Sequence, residues 1–398
     1  MGFDSTPRAN RLHIGIFGKR NVGKSTLVNA LTGQETSLVS AVAGTTTDPV
    51  YKAVELRGFG PAVLIDTAGF DDEGVLGKMR VERTREAMTK TDVAVILFDS
   101  EPEEEAEWAE AFRQRKTPVI AVINKIHDPD RMARVKETVR NRMGLEAMEI
   151  DPETGLGIGE LKQKIADSAP ENFWNVSLTG KLAGENDLIL LVMPQDIQAP
   201  RGRLILPQVQ TIRELLDKKC LVMSCTADKM EETLQALSRA PKLIITDSQA
   251  FAQVYEKKPA ESMLTSFSIL FAGYKGDIRE FLKGAGAIDR LTEDSRVLIA
   301  EACSHSPTEE DIGRVKIPKL LRRAAGEGLK VDFVRGVDFP EDLSGYDLII
   351  HCAACMFNRK YVMERVRAAQ KAGVPISNYG VVLARLNHIL DKVCFVED

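Results

Sequence analysis

Residues 12–25 read Leu12-His13-Ile14-Gly15-Ile16-Phe17-Gly18-Lys19-Arg20-Asn21-Val22-Gly23-Lys24-Ser25. A short, largely apolar run, a turn bounded by glycines and then a Lys-Ser pair predict a buried strand, a loop and a helix beginning near Lys24. The loop satisfies G-x-x-x-x-G-K-[ST] and stands between a strand and a helix N-terminus, the setting in which that pattern has chemical meaning. Gly18 and Gly23 let backbone N–H groups curl around a β-phosphate, Lys24 can neutralise β and γ oxygens, and the Ser25 hydroxyl can ligate Mg²⁺. Thr26, next along the helix N-terminus, belongs to the same phosphate-facing set.

Moving outward, the strand–loop–helix order recurs to about residue 170, with strands predicted at 62–66, 93–98 and 118–123. The class is α/β, and the first sheet should be mostly parallel. Asp66-Thr67-Ala68-Gly69 follows one of these strands, so Asp66 can hold Mg²⁺ through water while the Gly69 N–H faces a γ-phosphate. Gly44-Thr45-Thr46-Thr47-Asp48-Pro49 lies between the two motifs, where a switch threonine would close on Mg²⁺; Thr46 is the first choice and Thr45 the second. Asn124-Lys125, after the apolar run 118–123, begins a guanine-reading N-K-x-D element. Where that element needs its carboxylate the chain has His127, and Asp128 comes one residue late. The later S-A-x-x-G-like element reads Asp151-Pro152-Glu153-Thr154-Gly155, with Asp and Pro in place of Ser and Ala. Preference for GTP over other nucleotides is therefore expected to weaken.

At 398 residues the chain exceeds what one hydrophobic core usually serves. A seam near Ala169-Pro170-Glu171-Asn172 precedes strands expected around 187–193, 220–224 and 242–246, alternating with helices around 207–219 and 230–239. Another unit is expected from Ser266, with strands at 267–271, 296–301, 331–334 and 347–351 and a long amphipathic stretch from about Gly380. The expectation is three α/β domains: 1–170, with a P-loop GTPase fold, 171–265 and 266–398. The acidic run Glu101–Glu105 falls where a helix should begin, which suits the positive end of its dipole. A formal net charge of −5 argues against a chain that coats nucleic acid. No apolar run reaches the roughly 20 residues that span a bilayer, and a cytoplasmic location is expected.

Cys303-Ser304-His305 and His351-Cys352-Ala353-Ala354-Cys355 each follow an apolar strand, where parallel sheets gather ligands. Half of the six cysteines and two of the five histidines thus fall on two such loops. A helix expected near Asn358 would lower the pKa of the preceding thiols. Three thiolates suit three irons of a cubane, with the fourth on His305, His351, a carboxylate or an exchangeable ligand. Zinc in a Cys₃His set is the sharpest competitor on ligand type, and a dithiol redox pair at Cys352 and Cys355 is a third reading. Cys220, Cys225 and Cys394 lie in apolar segments and read as buried side chains.

The N-terminal motifs resemble the bacterial GTPase family that includes Era, Der and MnmE. The resemblance implies slow hydrolysis, since Phe70 stands where Ras-like proteins have a water-orienting Gln, and stimulation by K⁺, since Asn21 matches the P-loop Asn of potassium-activated members. On that basis Lys24, Asn21 and Thr46 are the catalytic set. C-x-H followed by H-C-x-x-C, behind such a GTPase and a middle α/β domain, resembles the HydF family of [FeFe]-hydrogenase maturation GTPases over essentially the whole chain. That resemblance implies GTP and GDP, Mg²⁺ and K⁺ at the first domain and a [4Fe–4S] cluster on Cys303, Cys352 and Cys355, with His305 and His351 matching the family's histidines. It also implies a homodimer that receives a transient diiron precursor from radical-SAM maturases and delivers it to apo-[FeFe]-hydrogenase. The contrasting reading is an RNA-modification or ribosome-assembly GTPase with a structural zinc.

Overall fold

The computed structural model describes residues 6–33, 49–56, 58–69, 74–171, 173–174, 176–193, 204–302, 311–336 and 338–396. Two compact units divide at Trp174 and Asn175.

In the first unit β1 (Leu12–Gly18), α1 (Lys24–Thr32), β2 (Val50–Leu56), β3 (Gly60–Asp66), α2 (Gly74–Lys90) and β4 (Val93–Phe98) are followed by α3 (Glu105–Gln114), β5 (Val119–Ile123), α4 (Pro129–Met143), β6 (Met148–Glu149) and α5 (Ile158–Asp167). The sheet order is β2-β3-β1-β4-β5-β6. β2 runs antiparallel to β3, and the other pairs are parallel. Both faces are covered, which explains why the central strands are unbroken apolar runs. On β4, Val93, Val95 and Leu97 pack into one core while Ala94, Ile96 and Phe98 pack into the other. The order turns about β1: β3 lies on one side and β4 on the other. Their carboxyl ends therefore frame the crevice in which ligands of such sheets bind. The acidic run leads into α3 as expected, with Glu103 accepting from Lys19 of the loop after β1 at 2.8 Å.

The second unit carries β7 (Leu188–Val192), α6 (Leu206–Asp217), β8 (Leu221–Cys225), α7 (Met230–Ala236), β9 (Leu243–Thr246), α8 (Phe251–Lys257), β10 (Met263–Ser266), α9 (Phe267–Lys275) and α10 (Ile278–Ala285). There follow β11 (Arg296–Glu301), α11 (Ile317–Ala325), β12 (Lys330–Arg335), β13 (Leu348–His351), α12 (Arg359–Ala372), β14 (Ile376–Asn378) and α13 (Tyr379–Leu386). They build two parallel four-stranded sheets, ordered β10-β9-β7-β8 and β12-β11-β13-β14. One core holds Leu190 and Ile244 of the first sheet together with Leu298, Ile349 and Ile376 of the second. The second sheet changes direction between β11 and β13, so the loops after those strands lie at its switch point.

Residues 267–271, expected as a strand, are helical. A five-residue apolar run does not distinguish strand from buried helix. Here Ser266 caps the helix by accepting the Ile269 N–H at 3.2 Å, and Phe267, Ile269, Leu270 and Phe271 are all buried. The stretch from Gly380 is also shorter than expected: α13 has eight residues.

Candidate functional site: a phosphate loop and a cysteine turn

The loop after β1 depends on two glycines in backbone regions that other residues avoid. Gly18 has φ 145° and Gly23 φ 103°. A Cβ on Gly18 would stand 2.7 Å from the Leu97 carbonyl oxygen, and one on Gly23 would stand 2.3 Å from Asn124 Nδ2. Asn124 is buried and donates from Nδ2 to the Val22 carbonyl at 2.8 Å. Lys125 reaches from the same strand end to the Asn21 carbonyl at 2.5 Å. The Asn124-Lys125 pair thus fastens the loop after β5 to the loop after β1. Lys24 is buried in the concavity, its Nζ donating to the Gly18 and Lys19 carbonyls at 2.9 and 2.7 Å.

On the metal-facing side Ser25 Oγ donates to Asp66 Oδ2 at 2.8 Å. Burial raises the Asp66 carboxyl above its ordinary range, opposed by the Ser25 bond and by Lys24 and Lys52. A hydroxyl and a desolvated carboxylate side by side form the hard oxygen pair that Mg²⁺ takes. Thr67 is buried and donates to the Ile16 carbonyl at 2.6 Å, which sets the direction of the Asp66–Gly69 turn. Gly69 is buried at its end, and Thr26 is exposed on the first turn of α1. Thr45, Thr46 and Phe70 lie outside the described residues.

The second constellation is built on adjacent strands. Ala300 of β11 pairs with His351 of β13, and the Cys352 N–H continues the ladder to the Ala300 carbonyl at 3.0 Å. Past the strand ends, Cys352 Sγ accepts the Ala302 N–H at 3.1 Å and the Ala354 N–H at 3.4 Å. Ala354 holds φ 48°, turning the chain from Cys352 back to Cys355. Two backbone donors on one sulfur favour the thiolate, the form that binds metal. Tyr379 adds a third polar group: its hydroxyl is buried near Cys352 and Glu301 and has no hydrogen-bond partner among the described residues. This donor set fits a thiolate-bound metal group. Cys303 and His305 lie outside the described residues; Ala302, which precedes Cys303, is one of the two residues that hydrogen-bond the Cys352 sulfur. Among the described residues no three of His, Cys, Asp and Glu group closely enough to hold a metal.

Two expectations change here. Burial pushes the Cys352 thiol up to about 11, against the N–H bonds from Ala302 and Ala354. The thiol sits at a buried strand end, six residues before the Asn358 cap of α12, and desolvation outweighs a helix end that far away. His351, expected as a cluster histidine, is fully buried with both ring nitrogens engaged. Arg365 Nη1 donates to Nε2 at 3.0 Å, which leaves Nδ1 as the donor to the Cys352 carbonyl at 2.7 Å. Burial, then repulsion by Arg365, lowers its pKa to about 3. As arranged, the ring orients the cysteine turn and offers no lone pair to a metal.

Arg365 is the residue that the sequence reading missed. It donates to the Gly336 carbonyl at 2.5 Å and to the Tyr361 hydroxyl, and lies 4.5 and 4.7 Å from the Tyr361 and Phe339 ring centres. Its signal was present in the sequence: Tyr361, Val362, Arg365, Val366 and Ala369 form one helical face, and a cation on such a face needs a buried partner.

Residues 178–276 match the hydrogen maturase F dimerization domain and residues 279–396 the hydrogen maturase F tetramerization domain, together more than half of the chain. The chain belongs to the hydrogen maturase F family. This family member also matches, over residues 13–125, the 50S ribosome-binding GTPase domain. Among curated relatives it is similar to a tRNA modification GTPase MnmE of Endomicrobium trichonymphae, 31% identical over 187 residues that cover 45% of this chain and 38% of that protein. It is also similar to a GTPase Der of Wolinella succinogenes, 44% identical over 93 residues that cover 23% of this chain and 20% of that protein. The chain thus spans well under half the length of these relatives. A solved structure of Aquifex aeolicus Era bound to GDP·AlF₄⁻ aligns at a TM-score of 0.36 and 19% identity, covering 57% of this chain and 98% of Era. Among the described residues no helix is long and apolar enough to cross a membrane. The chain thus joins a GTPase domain to the two hydrogen maturase F domains.

Proposed function

We propose that this chain is a nucleotide-switched scaffold that holds a [4Fe–4S] cluster on Cys303, Cys352 and Cys355. It would accept a diiron precursor from radical-SAM maturases as cargo and deliver it to apo-[FeFe]-hydrogenase. The observation that carries the reading is the Cys352 sulfur, accepting two backbone N–H groups at the switch point of a parallel sheet. When bound, the cluster supplies an iron–sulfur surface with an iron open to an exchangeable ligand. The chain's own residues do the rest. The Ala302 and Ala354 N–H groups and the Arg365 cation offset part of the cost of a buried thiolate, which metal binding would have to complete, while His351 and Arg365 fix the turn.

At the other unit, Gly18, Asn21, Gly23, Lys24, Ser25 and Thr26 bind the phosphates, with Asn124 and Lys125 bracing the loop. Mg²⁺ would be held by Ser25, Asp66 and Thr46, with Thr45 the second choice for the switch threonine, the Gly69 N–H would face the γ-phosphate, and K⁺ would lie beside Asn21. Hydrolysis is slow on this reading because Phe70 cannot orient water, and K⁺-stimulated because Asn21 matches the P-loop Asn of potassium-activated members. The domain partition is 1–170, 171–265 and 266–398, with a homodimer through the middle part. Edge strand β8 supports that contact: among the described residues it pairs on one side only, and it exposes Leu221 and Met223. The acidic balance speaks against RNA as a partner, and the protein is assigned to the cytoplasm. The test is anaerobic maturation of apo-hydrogenase with the radical-SAM partners. Hydrogen evolution that requires this chain, and is lost with Cys352→Ser, supports the reading. Equal activation without the chain would contradict it.

A further inference from the structure

A guanine-specific site needs a fixed acceptor for N1–H and the 2-amino group and a fixed donor for O6. Adenine presents the reverse pattern, an amino donor at position 6 and an acceptor at N1. The loops after β5 and β6 flank the base in a fold of this kind, and here both are spent on themselves. After β5, the carboxylate position is the exposed His127. Asp128, the nearest carboxylate in sequence, is the cap of α4: its Oδ1 accepts the Asp130 N–H at 3.0 Å and the Arg131 N–H at 3.5 Å.

After β6 the backbone donors that could face O6 are consumed one by one. Pro152 has no N–H. The Glu153 and Thr154 N–H groups go to Asp151 Oδ1 at 2.9 and 3.3 Å, and the Gly155 N–H goes to the Asp151 carbonyl at 2.9 Å. The Asp151 N–H is paired with the Leu156 carbonyl at 3.0 Å. The Asp151 carboxylate is thereby directed into its own turn. The Thr154 hydroxyl and then the Glu153 N–H hold it below the usual range, and His127 lies within its electrostatic reach.

We propose that this chain binds purine nucleoside triphosphates through their phosphates with no fixed guanine reader, so that ATP occupies the Gly18–Ser25 loop with an affinity within about tenfold of GTP. His127, exposed to solvent, takes the sequence position at which a guanine-binding carboxylate would stand. An imidazole donates from one nitrogen and accepts at the other, so it can match either purine by changing tautomer. Sites built to hydrogen-bond one partner reject its analogue by about 10⁴-fold or more; a site whose donors are already paired has lost that means of rejection.

The inference rests on the phosphate-loop reading, and one set of titrations separates the two. A fluorescent GDP analogue is displaced from the full chain by Mg²⁺ complexes of GTP, ITP and ATP, in wild type, Lys24→Ala, His127→Asp and Asp151→Asn. The expected result is displacement by all three within about tenfold in wild type. Lys24→Ala should abolish it for all, and His127→Asp should shift the GTP-to-ATP ratio at least tenfold toward GTP. A wild-type preference for GTP over ATP of a hundredfold or more overturns the inference while leaving the phosphate loop intact. If Asp151→Asn removes that preference, Asp151 is the guanine reader instead. Absence of binding by any nucleotide in wild type would overturn both readings.

Discussion

Gly23→Ala strikes the contact that joins the two loops of the nucleotide site. Gly23 holds φ 103°, and an added Cβ would stand 2.3 Å from Asn124 Nδ2, which is itself held at 2.8 Å from the Val22 carbonyl. A side chain in this backbone region costs about 1–2 kcal/mol. Losing the buried bond, with a carbonyl left unpaired, costs about 1–3 kcal/mol more. The loop must keep this shape to wrap a phosphate, so the sum of about 2–5 kcal/mol should appear as weaker binding of Mg²⁺·GTP, roughly thirtyfold or more. Calorimetric titration of the full chain measures it. A double-mutant cycle identifies the cause: on an Asn124→Ala background the clash is gone, and Gly23→Ala should then cost only the backbone strain of about 1–2 kcal/mol. Binding by Gly23→Ala within about threefold of wild type, or full additivity in the cycle, would refute the reasoning.

Asp66→Asn should weaken Mg²⁺·GTP binding by about tenfold or more, the scale of a lost metal-site partner. Because burial raises the Asp66 carboxyl, its charge opposes folding at neutral pH, so the nucleotide-free variant should melt no lower than wild type by differential scanning calorimetry. In the second unit, burial acts to raise the Glu214 carboxyl, but bonds from the Thr179 hydroxyl, the Leu178 and Thr179 N–H groups and the Ser177 hydroxyl prevail and lower it. That stabilisation is present above the ordinary Glu range near 4.5 and is lost as pH falls through the lowered value. Glu214→Gln should therefore destabilise the protein at pH 7 by about 1–3 kcal/mol and flatten the acid limb of its melting profile. Leu221→Lys, which puts a charge on the open edge of β8, should shift light-scattering mass toward the monomer; an unchanged mass would remove β8 from the interface.

Much of the fold is written in local pattern. Strands such as 93–98 are apolar throughout because both faces of a parallel sheet are covered, and the Gly18–Ser25 spacing has few other uses. The chain is least legible where tertiary contacts decide. Phe267–Phe271 reads as strand by composition, yet the Ser266 cap and burial on all sides make it helix. β6, with two residues, and β14, with three, are too short to carry a period. At the candidate sites, residue types were legible and their partners were not. Spacing names Cys352 and His351, but it could not show that Arg365, fourteen residues on, would take the histidine's second nitrogen. Nor could it show that Asp128, one residue late for a base, is on time for a helix cap.

The central claim is that the cysteine turn holds an iron–sulfur cluster, and the most direct measurement is anaerobic reconstitution followed by iron, sulfide and zinc analysis and EPR of the reduced protein. Wild type and the Cys303→Ser, Cys352→Ser and Cys355→Ser variants should be compared side by side. The account predicts about four irons and four sulfides per chain with a [4Fe–4S]⁺ signal in wild type, lost in each variant. Stoichiometric zinc without sulfide, or a cluster that survives Cys352→Ser unchanged, would contradict it.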